Sequence, residues 1–266
     1  MIMSKIMNNR RIFVTFLPRL LGLIISISSL TACAPVNQAS AQKQNSINHP
    51  DHKKIIRAFG GVYEDFKVGS YVAGLSLKIA KSSDDPESTY RVTVLDSPQV
   101  NAFAMPGGYT YVTRGLLALA NNEAEVAAVM GHEIAHAVAK HSVERASAAM
   151  ALNLGTAVID IFTGGVISRT RNTVGQNTGV DILKVGIFNP FTRSQESEAD
   201  YLGLAFSSLT GYNLYEGAEL WKRMEKETGT KIPQFLSTHP SPKNRIRQIR
   251  NWIPQIRSQF PKIKNI

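Results

Sequence analysis

His132-Glu133-Ile134-Ala135-His136 lies in an Ala- and Val-rich segment and decides how the rest of the chain is interpreted. The apolar flanks predict a buried helix. Two histidines at positions i and i+4 lie one above the other on a single helix face, so both imidazoles can reach one zinc ion. Glu133 lies about 100° around the same helix, which keeps its carboxylate beside the metal without making it a ligand. A general base needs this arrangement.

An ordinary helix with a polar stripe produces the same spacing by chance, and the flanks argue against that alternative. A buried glutamate beside two buried histidines is costly unless a metal compensates the charge. We therefore expect one zinc ion per chain. The apolar residues on which this argument depends are Val126, Ala127, Ala128, Val129, Met130, Ile134, Ala135, Ala137 and Val138.

A catalytic zinc site needs a third protein ligand, and His141 is the nearest candidate in the sequence. Five residues past His136 on a continuous helix, its side chain is rotated away from the metal face. We interpret His141 as a structural or surface histidine. A metzincin needs a glycine and a third histidine where this chain has Ala139 and Ser142, so that class is excluded.

A better third ligand lies about sixty residues downstream, in an acidic cluster. Glu196 and Asp200 are at i and i+4, so one helix face presents two carboxylates. One can bind the metal while the other accepts the free ring N–H of a ligand histidine. Glu198 lies on another face and is expected to meet solvent or Arg193. The alternative is an ordinary solvated helix N-terminus, where carboxylates suit the helix dipole.

The rest of the pattern predicts an α+β fold that is predominantly helical, with a small antiparallel sheet next to the metal-binding helix. The turn Pro106-Gly107-Gly108 predicts a hairpin between the second and third strands. In the glycine-containing stretch 155–191 we expect a helix that continues the bundle and then a loop over the cleft, with the function of a lid. The expected elements are two helices within 55–80, strands at 90–95, 101–105 and 109–113, and helices at 114–120 and from 123 to about 150.

The first 32 residues predict a signal peptide. Four basic residues precede an apolar run from Leu20 to Leu30, which is too short for a stable membrane span. The following Thr31-Ala32-Cys33 completes a sequence that resembles the lipobox of bacterial lipoproteins, in which the cysteine is acylated and becomes the first residue. Cys33 is the only cysteine, which excludes a disulfide framework. An uncleaved signal anchor is the alternative, and Ala34 favours sorting to the outer membrane.

The motifs together resemble the HtpX and CAAX-prenyl-endopeptidase family of gluzincins, and its soluble periplasmic members most. The resemblance spans residues 50–255 and implies a minimal gluzincin protease domain. It rests on His132-Glu133-Ile134-Ala135-His136, Glu196-Ser197-Glu198-Ala199-Asp200, the stretch from Asn101 to Gly108, and Thr238-His239-Pro240-Ser241-Pro242.

The resemblance implies roles for individual residues. It makes His132, His136 and Glu196 the zinc ligands, and Glu133 the general base and acid. Asp200 becomes the partner that orients a ligand histidine. A further candidate set consists of His239, either an inhibitory fourth ligand or a transition-state donor, and Arg245 as its helper. The alternative for His239 is a residue that merely ends a loop before Pro240.

These features predict four segments: a lipoprotein signal peptide at 1–32, a lipidated cysteine with a flexible tether at 33–50, a zinc metalloprotease domain at 51–258 and a basic tail at 259–266. Loss of the signal peptide lowers the formal charge from +10 to +6, and residues 237–266 carry seven basic and no acidic side chains. No aromatic ladder accompanies these charges, so we expect a solvated face near anionic lipid and no nucleic-acid partner.

The function implied is that of a zinc-dependent endopeptidase on the periplasmic face of the bacterial outer membrane. Its substrates would be unfolded, misfolded or misassembled envelope proteins, a class that only the resemblance suggests. The alternative is a periplasmic chaperone or assembly lipoprotein with latent or secondary protease activity. A purely structural zinc site is disfavoured, because such sites favour cysteine ligands and the folded domain has none. Cleavage preference, physiological substrate and oligomeric state leave no sequence signal.

Overall fold

The computed structural model describes residues 50–145, 190–227, 235–236, 239 and 245–262. The predicted α+β class is confirmed, with helices as the dominant element. The signal peptide, Cys33, most of the tether and nearly all of the predicted lid lie outside the described residues. The elements are α1 (Pro50–Ala58), α2 (Phe66–Lys81), β1 (Arg91–Leu95), β2 (Ala102–Met105), β3 (Tyr109–Thr113), α3 (Arg114–Leu119), α4 (Glu123–Val138), α5 (Arg193–Leu209), α6 (Leu214–Glu227) and α7 (Arg245–Gln259).

The sheet is mixed, which corrects the prediction of an antiparallel sheet. Its strand order is β1-β3-β2, with β1 parallel to β3 and β2 antiparallel to β3. The register pairs Leu95 with Thr113 and Ala102 with Val112, so β1 ends and β2 begins at the same end of the sheet. The short link 96–101 therefore passes the end of β3, and the hairpin strand β3 lies between the other two. Alternation within a strand reveals its faces but not its neighbours.

Side-chain caps explain where the site-bearing helices begin. The Asn122 side chain accepts a hydrogen bond from the backbone N–H of Glu125 at the start of α4. At the start of α5, Thr192 and Gln195 form a reciprocal capping box. Both caps satisfy backbone donors that the first turn leaves unpaired. Helix α4, which carries His132 and His136, and helix α5, which carries Glu196 and Asp200, thus have defined starting points.

Helix α4 ends at Val138, which corrects the prediction that it continues to about Met150. Ala139 is its C-cap, and Lys140 adopts a left-handed conformation with φ of 59°. The chain resumes helical conformation at 141–145. A long-side-chain residue at positive φ carries no sequence signal for such a break, because glycine usually occupies this position.

Helices α4 and α5 cross where each has a glycine. A Cβ built on Gly203 would lie 2.9 Å from the backbone carbon of Gly131 and 2.9 Å from the backbone nitrogen of His132. Only glycine allows this approach. The crossing point is therefore next to the first histidine of the motif, and it brings the carboxylates of α5 to that histidine.

The folded body reaches the end of α7 and one residue beyond. Phe260 is buried in the core, and its backbone oxygen accepts a hydrogen bond from the Ser208 hydroxyl at 2.7 Å. The predicted start of a basic tail at residue 259 remains a prediction, with Phe260 itself part of the core. Among the described residues, no helix combines the length and the apolar character needed to cross a membrane.

Candidate metal centre

Four side chains converge at the α4–α5 crossing. One ligand atom from each of His132, His136, Glu196 and His239 lies within 4.8 Å of the others, and all four residues are buried. Helix α4 supplies the two histidines of the motif and α5 supplies the glutamate. Only the fold brings in His239, which is more than forty residues from Glu196 in the sequence.

The hydrogen-bond partners of these side chains indicate that the donor set suits a cation. The Nδ1 atom of His132 lies 2.9 Å from Oδ1 of Asp200, and a carboxylate only accepts, so Nδ1–H donates and Nε2 presents a lone pair. The Nε2 atoms of His132 and His136 are 3.0 Å apart. Oε2 of Glu196 is buried without a hydrogen-bond partner. Imidazole nitrogens and carboxylate oxygens are zinc ligands, and this buried cluster of converging donor atoms fits one zinc ion.

The remaining carboxylate of the motif belongs to Glu133, which is fully buried. Neither of its oxygens makes a hydrogen bond, and Oε1 faces Nε2 of His239 at 3.5 Å. Burial raises the pKa of Glu133, while interactions with the His239 and His132 rings oppose that shift. The result is a carboxylate with free lone pairs beside the metal cluster.

The His239 ring closes the cluster on its fourth side. Its Nδ1 atom lies 3.0 Å from Oε1 of Glu196 and 3.3 Å from Nε2 of His132. Burial alone would lower the pKa of His239, but the carboxylates of Glu196 and Glu133 outweigh it and the pKa is raised. Phe235 stacks on the ring with centroids 4.5 Å apart. The position suits a fourth ligand or a donor to a bound substrate.

An ion pair lies behind His132. Arg245 donates from Nε to Oδ2 of Asp200 at 2.8 Å and from Nη2 to Oδ1 at 2.6 Å, and both residues are buried. Burial raises the pKa of Asp200, but the guanidinium outweighs it, so the pKa is lowered. The Arg245 guanidinium also lies 4.1 Å from the ring centre of Trp221. Arg245 is thus placed on Asp200, with its Nη1 3.5 Å from Glu196.

His141 was predicted to be a structural or surface histidine, and the surface alternative is wrong. It is buried, and its Nδ1 lies 2.9 Å from Nδ1 of His136. Its Nε2 lies 3.6 Å from Oε2 of Glu198, so this glutamate faces a histidine. Burial lowers the pKa of His141 despite the nearby Glu198. The break at Lys140 explains the error, because helical geometry does not continue from His136 to His141.

Phe191 is a second contact that the sequence did not signal. Its ring stacks on His136 with centroids 3.9 Å apart and an interplanar angle of 20°. The guanidinium of Arg145 lies 3.8 Å from the centre of the Phe191 ring on the same stack. Burial lowers the pKa of Arg145 to about 10. The Phe191 ring therefore contacts both the His136 ring and the Arg145 guanidinium.

The two ligand types have complementary protonation. Burial lowers the pKa of His136 well below its ordinary value, which favours the neutral imidazole that binds metal. Burial would raise the pKa of Glu196, yet interactions with the His239 and His132 rings outweigh it and the pKa falls well below its usual range. The centre is thus built from a neutral imidazole and an ionised carboxylate.

A cavity of about 350 Å³ opens beside the centre at the end of α4. The loop 85–90, the hairpin turn 105–108 and His136 line it, together with the residues that follow α4. The cavity places free space next to a metal-binding side chain, where a substrate chain needs to enter.

The sequence model of peptidase family M48 matches residues 69–253. The chain belongs to peptidase family M48. The predicted resemblance to these metallopeptidases is confirmed, as is the prediction of a metalloendopeptidase as the class of enzyme. Family M48 together with the four-residue cluster also confirms zinc as the cofactor. The roles of the individual residues remain predictions.

Curated relatives of this M48 chain come from mitochondria and from bacteria. The mitochondrial metalloendopeptidase OMA1 of Schizosaccharomyces pombe is 35% identical over 191 residues, which cover 70% of this chain and 53% of the relative. The putative beta-barrel assembly-enhancing protease of Vibrio cholerae is 28% identical over 224 residues, covering 80% and 44%. The beta-barrel assembly-enhancing protease of Escherichia coli is 22% identical over 213 residues, covering 76% and 42%. The chain spans about half the length of these relatives.

Proposed function

We propose that this chain is a zinc-dependent endopeptidase of the bacterial cell envelope. The observation that carries the proposal is the buried Glu133 carboxylate, free of hydrogen bonds, beside four converging metal donors. The printed names of two relatives, beta-barrel assembly-enhancing proteases, support misfolded or misassembled envelope proteins as substrates.

The proposed zinc ligands are His132, His136 and Glu196, whose donor atoms converge. Zinc, when bound there, lowers the pKa of water and polarises a peptide carbonyl. Asp200 fixes the ring of His132 by accepting its Nδ1–H at 2.9 Å. The Arg245 guanidinium neutralises Asp200 and so keeps it an acceptor.

Glu133 is the proposed general base and acid. Its unpaired oxygens can accept a proton from the attacking water, and its burial, which raises its pKa, makes it a stronger base. The same carboxyl group then gives the proton to the leaving amine. The net reaction is hydrolysis of an internal peptide bond.

His239 has two proposed roles that experiment can separate. Its ring is within 3.0 Å of Glu196 and 3.5 Å of Glu133, so it either closes the centre as a fourth ligand or donates to the oxyanion of the substrate. His239→Ala raises activity if the ring is inhibitory and lowers activity if it is a donor. The predicted help from Arg245 would act through Asp200, the residue it contacts.

The decisive test replaces Glu133 by glutamine and measures cleavage of unfolded casein. We expect activity to fall by about 10²- to 10⁴-fold, because general acid–base catalysis is removed, while bound zinc stays at the wild-type level. Glu64→Gln, a change at an exposed carboxylate outside the metal cluster, is the matched control and retains activity. Full casein cleavage by the Glu133 variant overturns the proposed mechanism.

The close approach of His239 to the ligands favours a second candidate, a latent protease whose main role is chaperoning or assembly of envelope proteins. Complementation of a deletion strain by the Glu133→Gln chain separates the two. Rescue of envelope integrity supports the assembly role, whereas failure with normal protein levels supports proteolysis.

We further propose that the chain is exported and anchored to the outer membrane through an acylated Cys33. The support is the sequence that ends in Cys33 and the bacterial relatives named for beta-barrel assembly. Cys33→Ser should release the protein from the membrane fraction, and labelling with a radioactive fatty acid should be lost. Unchanged membrane association of that variant argues for an uncleaved signal anchor.

A further inference from the structure

The two motif histidines have different partners at Nδ1. His132 donates from Nδ1 to the carboxylate of Asp200 at 2.9 Å. Within the described part of the chain, the Nδ1 of His136 faces a ring nitrogen instead of a carboxylate: it lies 2.9 Å from Nδ1 of His141. A hydrogen bond of this length between two imidazoles has one donor and one acceptor, so a single proton lies between them.

The position of that proton determines whether His136 can bind metal. A neutral imidazole carries one proton, so a metal-binding Nε2 requires the proton on Nδ1. In the opposite arrangement His141 donates, and His136 carries its proton on Nε2, where Glu196 Oε1 accepts it at 3.2 Å. The first arrangement is ready for metal and the second is not.

Glu198 distinguishes between these two arrangements. Its Oε2 faces Nε2 of His141 at 3.6 Å. A carboxylate favours an N–H and repels a lone pair, so it favours the proton of His141 on Nε2. The Nδ1 of His141 then presents a lone pair, and His136 must donate to it. The carboxylate of Glu198 thereby selects the metal-ready form of His136 through His141.

The local backbone holds His141 in this position. Lys140 turns the chain with φ of 59° immediately before it, and the Ser142 hydroxyl donates to the backbone oxygen of Ala104 in β2 at 3.0 Å. His141 is 2% exposed. The ring is therefore enclosed and tied to the sheet, which limits its orientation.

We propose that His141 is a positioning residue that, backed by Glu198, orients His136 and places its proton on Nδ1 so that Nε2 is available to the metal. This role parallels that of Asp200 for His132. It rests on the proposed zinc-binding function of the centre.

The test measures the zinc dissociation constant of the full chain by competition with a chromophoric chelator. His141→Ala should weaken zinc binding about 10- to 100-fold, the usual effect of removing a partner of a ligand histidine. In His141→Asn the side-chain oxygen stands in for Nδ1 as acceptor, and the constant should return to within a few-fold of wild type. The visible absorption spectrum of the Co²⁺-loaded chain should change in the alanine variant and be restored in the asparagine variant. Equal weakening by both substitutions, or by neither, overturns the proposal.

A second pair of variants moves His141 without altering it, in case His141→Ala fails to fold. Lys140→Ile places a β-branched residue at positive φ and should displace the ring, whereas Lys140→Gly suits that conformation. We expect weaker zinc binding only in the isoleucine variant, and wild-type affinity there overturns the proposal. A wild-type chain that binds no zinc refutes the proposed function itself, whereas a zinc-binding wild type with unaffected variants refutes only the role of His141.

Discussion

His132 and His136 stand four residues apart on one helix and face the same cluster, yet they are supported in opposite ways. A buried ion pair, Asp200 with Arg245, lies behind His132. Behind His136 lie a second histidine and the face of the Phe191 ring. The first support comes from two helices distant in the sequence, whereas the second comes from His141 just after α4 and from Phe191 just before α5.

This difference teaches how each half of the centre depends on the fold. A buried ion pair is expensive to desolvate and contributes position more than stability, and losing one partner leaves an uncompensated charge. A neutral hydrogen bond and a ring contact are cheaper to lose. We therefore expect damage on the His132 side to unfold the protein, and damage on the His136 side to weaken metal binding first.

Asp200→Ala should have the largest effect, because it removes the carboxylate that accepts both short hydrogen bonds of the buried Arg245 guanidinium. We expect a loss of roughly 3–5 kcal/mol in the free energy of unfolding, measured in urea. The double variant Asp200→Leu, Arg245→Met should recover stability without recovering zinc affinity. Stability that stays low in the double variant would show that the ion pair contributes more than compensation of its own charges.

Gly203→Ala should come next, because the new methyl group meets the backbone of α4 beside His132. Overpacking of this kind costs about 1–3 kcal/mol and should move α5 away from α4, which also weakens zinc binding. The matched control is Gly74→Ala in α2, where a Cβ meets nothing within 4 Å. That control should gain about 0.5–1 kcal/mol, because alanine is the better helix former. Thermal unfolding and zinc competition measure both variants.

Phe191→Leu should have a smaller effect on the His136 side. Loss of the stack on His136 should lower the free energy of unfolding by about 0.5–1.5 kcal/mol. The free energy of zinc binding should fall by more than that. Phe66→Leu is the matched control, because Phe66 is 87% exposed. A Phe191 variant that loses stability without losing zinc affinity would show that the ring serves the core rather than the ligand.

The smallest effect concerns Glu123, a surface residue at the start of α4. Its hydrogen bonds provide a reference for the buried contacts of the metal centre. Glu123 accepts hydrogen bonds from Tyr71 at 3.0 Å and from Tyr212 at 2.7 Å. These bonds from Tyr212 and Tyr71 lower the pKa of Glu123, and burial with the Glu123 contact raises the pKa of Tyr71 to about 12.

The sign of the pH dependence follows from both shifts. A lowered carboxyl pKa contributes stability that is present above the unfolded value and lost as pH falls through the folded value. A raised tyrosine pKa contributes stability that is present below its ordinary value of 10 and lost as pH rises towards 12. The difference in melting temperature between wild type and Tyr71→Phe should therefore be seen at pH 7 and shrink as the pH falls below 4.5 through the lowered pKa of Glu123. A difference that does not shrink on acidification would mean that the contact does not depend on the charge of Glu123.

The metal motif and its acidic partner were readable from the sequence because helical periodicity is local. Spacings of four residues place His132 above His136 and Glu196 above Asp200, whatever else the fold does. The structure brings all four together at the helix crossing. The zinc cofactor and the family followed from the same short motifs.

The sequence did not predict the features that depend on a change of chain direction. The predicted position of His141 came from extending α4, which ends at Val138. The parallel pairing of β1 with β3 arises because β3, which follows β2 in the chain, lies between β1 and β2 in the sheet. Neither Lys140 nor the link 96–101 carries a residue pattern that signals these turns.

The sequence by itself thus predicted a zinc site, a candidate general base and the helices that carry them, because those depend on residue identity and helical period. Only the tertiary structure decided which side chains meet at the centre: Arg245 contacts Asp200, His141 contacts His136, and His239, a candidate fourth ligand from the resemblance, contacts Glu196. These contacts join residues from separate elements, and their geometry depends on the crossing at Gly131 and Gly203. Packing across elements sets them, and no local periodicity encodes it.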